Sequence, residues 1–139
     1  GFPCYSNPDK GRRIQVLRYI ELKSGYHDNG PAWIARVKES KAGRTIYFDG
    51  RALKQGVSGA AGNFFDLATG DLFWVSGIKR DGTDRHRAGS GKVMIEADVV
   101  AEYLSVIGSS ELDTTRFVVT SGLRETDPAD FVELENRRL

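Results

Sequence analysis

Apolar side chains recur along this chain in short runs separated by glycine, asparagine and aspartate, a pattern that predicts short strands and turns more than helices. From Arg13 to Leu22, the apolar Ile14, Val16, Leu17, Tyr19, Ile20 and Leu22 are interleaved with Arg, Gln and Glu, as in a partly buried strand. Lys23 to Pro31 is dense in turn formers, and a second strand is predicted over Ala32 to Lys38. Arg44 to Asp49 carries Thr45, Ile46, Tyr47 and Phe48 and should pair with that strand as a hairpin, closed off by Asp49 and Gly50. Gln55 to Gly62 is small and glycine-rich. The aromatic run Asn63 to Leu67 and the segment Leu72 to Ile78 form a second predicted hairpin about the turn Ala68 to Asp71. In a strand the neighbours Phe64 and Phe65, and likewise Phe73 and Trp74, must point to opposite faces.

After a polar loop from Lys79 to Gly91, a short strand is predicted over Lys92 to Glu96. The period then changes: Val99, Val100, Tyr103, Leu104 and Ile107 recur at helical spacing, and Gly108 marks the stop. Arg116 to Thr120 reads as a strand. Asp127 and Pro128 read as a helix entry, with Phe131, Leu134 and Leu139 toward the core. Together these elements predict an α+β, mainly β fold: a small twisted or barrel-like antiparallel sheet of about five to seven strands with one or two C-terminal helices. Residues 1–12, with two prolines and no periodicity, are expected to be an arm. Residues 13–139 form one globular domain, on which the acidic extension 109–139 packs.

A length of 139 residues suits one core, and 16 glycines without a repeating period fit a turn-rich fold. Cys4 is the single cysteine, so an intramolecular disulfide and a cysteine-rich zinc site are excluded. No apolar run is long enough for a membrane helix, and the stretch Gly1 to Pro8 has no leader-like pattern. A cytoplasmic chain with no membrane partner is therefore expected. The formal net charge of +1 is unevenly placed. Residues 1–92 hold sixteen Lys and Arg against nine acids, a balance of +7, whereas residues 93–139 hold four against ten, a balance of −6. A basic body can draw phosphate-bearing partners, although both charged regions are equally consistent with solvated surface.

The richest candidate chemistry lies in the loop from Lys79 to Lys92, which has five basic residues, two aspartates and one of the chain's two histidines. Glycine permits close backbone approach, successive amides can cradle an anion, and arginine grips phosphate in a fork. Arg80, Arg85, His86, Arg87, Ser90 and Lys92 are the candidate ligand-binding residues; the alternative is a turn at Asp81 and Gly82 with its charges paired or solvated. Gly91 and Lys92 resemble the end of a P-loop, but His86 stands where that motif needs glycine and Val93 where it needs Ser or Thr.

A second polar loop holds Tyr26, His27 and Asp28, with Trp33 beyond it. Trp33, Tyr47 or Trp74 would offer stacking platforms for unpaired bases if exposed beside the basic loop, and Tyr26 and Trp33 are further candidate ligand-binding residues. If the two loops converged, His27, Asp84 and His86 could act as general base and acid in a small hydrolase or nuclease, and His27, Asp28, Asp84 and His86 could ligate a divalent metal. No cofactor is implied. Three function classes follow: a noncatalytic module for a phosphate-containing ligand such as nucleic acid, a histidine-dependent hydrolase, and a protein-interaction domain using a sheet edge or the acidic C-terminal segment.

Over Tyr19 to Leu104, about 86 of 139 positions, the chain resembles a family of small bacterial proteins. Their patterns are YxELKxGYxDNGPAWI and WxSGxKxDGxDRHxAGSG, here YIELKSGYHDNGPAWI and WVSGIKRDGTDRHRAGSG. Some members bear the label deoxyxylulose-phosphate synthase, but this chain is far too short for that thiamine-dependent enzyme and has no matching cofactor motif. The resemblance implies a compact domain that includes both loops, and no activity, substrate or catalytic residue.

Overall fold

In the computed structural model, residues 14–26, 30–40, 42–56, 62–81 and 91–137 are described. The strands are β1 (Ile14–Leu22), β2 (Ala32–Glu39), β3 (Thr45–Phe48), β4 (Arg51–Gln55), β5 (Phe64–Asp66), β6 (Leu72–Ser76), β7 (Val93–Glu96) and β8 (Phe117–Thr120). They form one sheet in the order β1-β6-β5-β4-β3-β2-β7-β8, and an additional β1–β2 pairing closes its first six members into an antiparallel barrel. Two strands extend the barrel wall at β2: β7 pairs with β2 in parallel, and β8 with β7 in parallel. The fold is thus mainly β, as expected, while the parallel pair β7–β8 departs from an all-antiparallel sheet.

Alternation along the strands sorts side chains into three clusters. Ile20, Ala35, Val37, Ile46, Phe48, Leu53, Phe64, Phe73 and Val75 fill the barrel. A closed sheet of so few strands has an interior just wide enough for side chains, so it is a packed core and not a channel. A second cluster lies outside the barrel wall, where Leu17 and Tyr19 of β1, Ala32 and Ile34 of β2, and Val93 and Ile95 of β7 meet Val99, Tyr103 and Phe117. β1 and β2 are therefore buried on both faces, which explains their dense apolar content. Each fully buried aliphatic side chain there contributes about 1.5–3 kcal/mol. Phe64 and Phe73 point into the barrel, whereas Phe65 and Trp74 pack against the outer clusters, as strand alternation requires.

The helix α1 (Val100–Ile107) follows a 3-10 turn over Ala97–Val99 and lays Tyr103 on the outer face of the sheet. It ends where Gly108 adopts φ 69° and donates its N–H to the Leu104 carbonyl. At the C-terminus, Asp127 accepts a hydrogen bond from Ala129 N at the start of a 3-10 turn over Pro128–Phe131, which leads into α2 (Val132–Arg137). Phe131 and Leu134 pack on a third cluster of Tyr47, Ala52 and Leu67. Tyr47 Oη donates to Glu135, so the acidic segment is fastened to the barrel.

Residues 121–126 strap across the β3–β4 turn, held by Arg124 N to Asp49 Oδ1 (2.9 Å) and Lys38 Nζ to the Thr126 carbonyl (2.9 Å). Thr126 is buried, accepts Gly50 N–H at 2.7 Å and donates to the Arg124 carbonyl. Thr126→Val is expected to cost about 1–3 kcal/mol, because it keeps the shape but strands the Gly50 amide. Urea unfolding checks this; a midpoint unchanged from the parent would rule the Gly50–Thr126 bond out as an anchor. No helix among the described residues is long and apolar enough to cross a membrane.

Candidate functional site

The strand register sets where the two polar loops begin and end. Tyr19 of β1 stands between Ser76 of β6 and Ile34 of β2, and Glu21 stands between Trp74 and Ala32. β7 then lies beside β2 in the same direction, with Trp33 opposite Met94 and Ile34 opposite Ile95. Parallel neighbours are entered from the same end, so Gly30–Pro31 and Gly91–Lys92 deliver their strands side by side. Lys23, Ser24 and Tyr26 lie at that end too, because β1 runs antiparallel to β2 and finishes where β2 starts.

This end is tied together by backbone. Leu22 N donates to the Pro31 carbonyl at 3.0 Å, Lys23 N to the Leu72 carbonyl at 2.9 Å, and Tyr26 N to the Lys23 carbonyl at 3.1 Å. Ser24 Oγ accepts Leu72 N–H at 2.7 Å. Tyr26, 49% exposed, presents its ring to solvent, and Lys92 is exposed immediately before β7.

Beneath that end is a polar group in a core position. Glu21 shares the outward phase of Leu17 and Tyr19 on β1, and is only 1% exposed. Tyr19 Oη donates to Glu21 Oε1 at 2.6 Å, and Lys23 Nζ stands 3.1 Å from Oε2. The Glu21–Lys23 contact is an ion pair without aligned hydrogen-bond geometry. The Lys23 side chain is 9% exposed, so the whole pair sits in the wall. Ion pairs this deep seldom add to stability over an apolar replacement.

The residues singled out by sequence divide accordingly. Tyr26 and Lys92 lie at the shared end. Arg80 is exposed in the turn after β6. Trp33 is half-buried against the barrel core, its ring centroid 5.4 Å from that of Phe48 in an edge-on arrangement. Tyr47 is buried in the third cluster. His27, Asp28, Asp84, Arg85, His86, Arg87 and Ser90 lie outside the described residues. Among the described residues, no group of His, Cys, Asp or Glu could hold a metal ion.

A second polar feature lies toward the other end of β2. β7 occupies the β2 edge at Trp33 and Ile34, and β3 occupies it at Lys38 and Glu39, leaving a fork at Arg36. The Arg36 amide donates across it to Glu96 Oε1 at 3.1 Å. The fork opens into a cleft of about 170 Å³ bordered by Glu96, Asp98, Asp49, Phe48 and the strap 123–126. Partial burial pushes the Glu96 carboxyl above the ordinary carboxylate range, and the charges of Asp98 and Asp49 act in the same direction, against the Arg36 amide.

Sequence reasoning passed over Glu21, although a signal was present: it continues the every-second-residue phase of Leu17 and Tyr19, which places a carboxylate where a core side chain belongs. Glu96 carried no such signal, since its surroundings come from strands far apart in the chain. No known protein family, curated protein or solved structure matches the chain.

Proposed function

We propose that this domain is a noncatalytic binding module for a phosphate-bearing ligand such as nucleic acid, held at the end of the sheet where β2 and β7 begin. The observation that carries the reading is the parallel β2–β7 register, which sets the end of the 23–31 loop beside the end of the 77–92 loop. Lys92 contributes an exposed ammonium and Tyr26 an exposed ring, the pairing of charge and stacking surface that single strands require. Arg85, Arg87 and Ser90 belong to the same loop and would supply the forked and hydroxyl contacts to phosphate.

Retention of short labelled single-stranded RNA or DNA is expected to fall linearly with salt on logarithmic axes. Lys92→Ala should lower the slope by about 1 and weaken binding to all sequences alike. Tyr26→Ala should cost about 1–3 kcal/mol if a base stacks on it. Absence of retention at low salt would sink the reading. The same loops carry His27, Asp84 and His86, so adjoining loop ends also favour a hydrolase as the second reading. Recovery of cleaved strands, with cleavage lost in a folded His86→Ala variant, would replace the binding module by that enzyme.

A further inference from the structure

The fork in β2 is a separate site, five residues along the strand from the loop end, or roughly 16 Å at the rise of a β-strand. Its cations are already committed. Arg36 Nη2 donates to Glu102 Oε1 at 2.7 Å, Lys38 Nζ to the Thr126 carbonyl at 2.9 Å, and the Arg124 guanidinium to the Asp49 carbonyl at 3.2 Å. Its carboxylates are not matched in the same way. Glu96, half-buried, accepts one hydrogen bond among the described residues, the Arg36 amide on Oε1, although a carboxylate can accept about four. Asp98, 71% exposed at the rim, meets only the outer nitrogen of Arg36, at 3.7 Å.

The apolar border of the cleft is the half-buried Leu123, which packs from the strap against the barrel core beside the almost wholly buried Phe48. A cavity of about 150 Å³ holds a molecule the size of benzene. The cleft, at about 170 Å³, therefore has room for a group of similar size. From this arrangement we infer that the fork cleft binds a small alkylammonium or alkylguanidinium ion, with its charged end on Glu96 and its alkyl stem against Leu123.

The geometry selects against an anion, because every arginine and lysine at the cleft already faces an oxygen acceptor within the fold, whereas Glu96 retains free acceptor capacity. It also favours a cation with N–H donors over a quaternary one, since the seat is a carboxylate and not an aromatic cage.

The test is a titration of n-butylammonium into the full chain, followed by backbone amide NMR, with butyrate and n-butanol as controls. Saturable shifts are expected at residues 36, 96–98 and 123–126. Glu96→Gln should weaken the affinity about tenfold or more while amide dispersion shows the fold intact, because a charge-assisted contact becomes a neutral one. Asp98→Asn, at the rim, should weaken it severalfold less. The inference is overturned by linear or scattered shifts, by equal binding of butyrate or n-butanol, or by Glu96→Gln and Asp98→Asn variants that both bind like the parent. Nucleic-acid retention is read at the opposite end of β2, so either site can fail without the other.

Discussion

Gly30→Ala is expected to destabilise the domain by about 3 kcal/mol or more, and to loosen the end of the sheet where both loops arrive. A Cβ at residue 30 would stand 2.0 Å from the Leu22 carbonyl oxygen and 3.0 Å from Tyr26 Cβ. The first of these neighbours is backbone and cannot swing aside. Leu22 is paired with Phe73 of β6 on one side and donates to the Pro31 carbonyl on the other, so moving its peptide disturbs two strand contacts at once. Gly70→Ala is the internal control. Gly70 has φ 80° and no atom within 4 Å of an added Cβ, so alanine there incurs only backbone strain, about 1 kcal/mol. Urea midpoints of the two variants decide the matter: a Gly30→Ala cost no larger than that of Gly70→Ala would mean that the chain does not pass this close to Leu22. Phosphate-ligand binding by folded Gly30→Ala should also weaken, since residues 30 and 91 border the same opening.

The strands that local chemistry favours were legible in the sequence. β1, β2, β3, β6 and β7 fall where alternation and β-branched or aromatic residues put them, and α1 stops at Gly108 as its period implied. β4 escaped notice because Arg51–Gln55 has neither aromatic nor β-branched residues. A cue preceded it, however. Asp49 and Gly50 both have positive φ, 49° and 75°, and an Asp-Gly pair in that conformation is a two-residue hairpin turn that requires a strand on its far side. Reading the pair as a terminator discarded that information.

Parallel addition of β7 and β8 was not legible, because nothing in Val93–Glu96 states which edge it will join. The same is true of the sites. Tyr26 and Lys92 were visible as loop residues, but their common location depends on β2 and β7 running the same way, a contact between segments about 60 residues apart. Glu96 acquires its role only because β3 and β7 take different stretches of one β2 edge. Non-local pairing brings together the residues of both proposed sites, whereas composition indicates only that charge and glycine are present to furnish them.

Glu21→Ala is expected to cost about 3–5 kcal/mol, more than any other single charge removal among the described residues, because Lys23 would stay in the wall without its carboxylate and Tyr19 Oη would lose its acceptor at 2.6 Å. The size of the loss comes from the stranded partner, not from the worth of the pair. A double variant, Glu21→Met with Lys23→Met, separates the two, since apolar side chains of similar length in place of a buried ion pair are often neutral or stabilising by about 1–4 kcal/mol. The double variant should therefore unfold at a higher urea concentration than Glu21→Ala, with an unchanged m-value showing that the same surface is still buried. Equal destabilisation by both would mean that Glu21 acts by filling space and not by holding a charge. Lys23 lies in the wall and its charge is spent on Glu21, so the double variant should regain stability and bind phosphate-bearing ligand like the parent. Recovery of stability with weakened binding would instead place the Glu21–Lys23 pair in the ligand site beside the exposed Lys92.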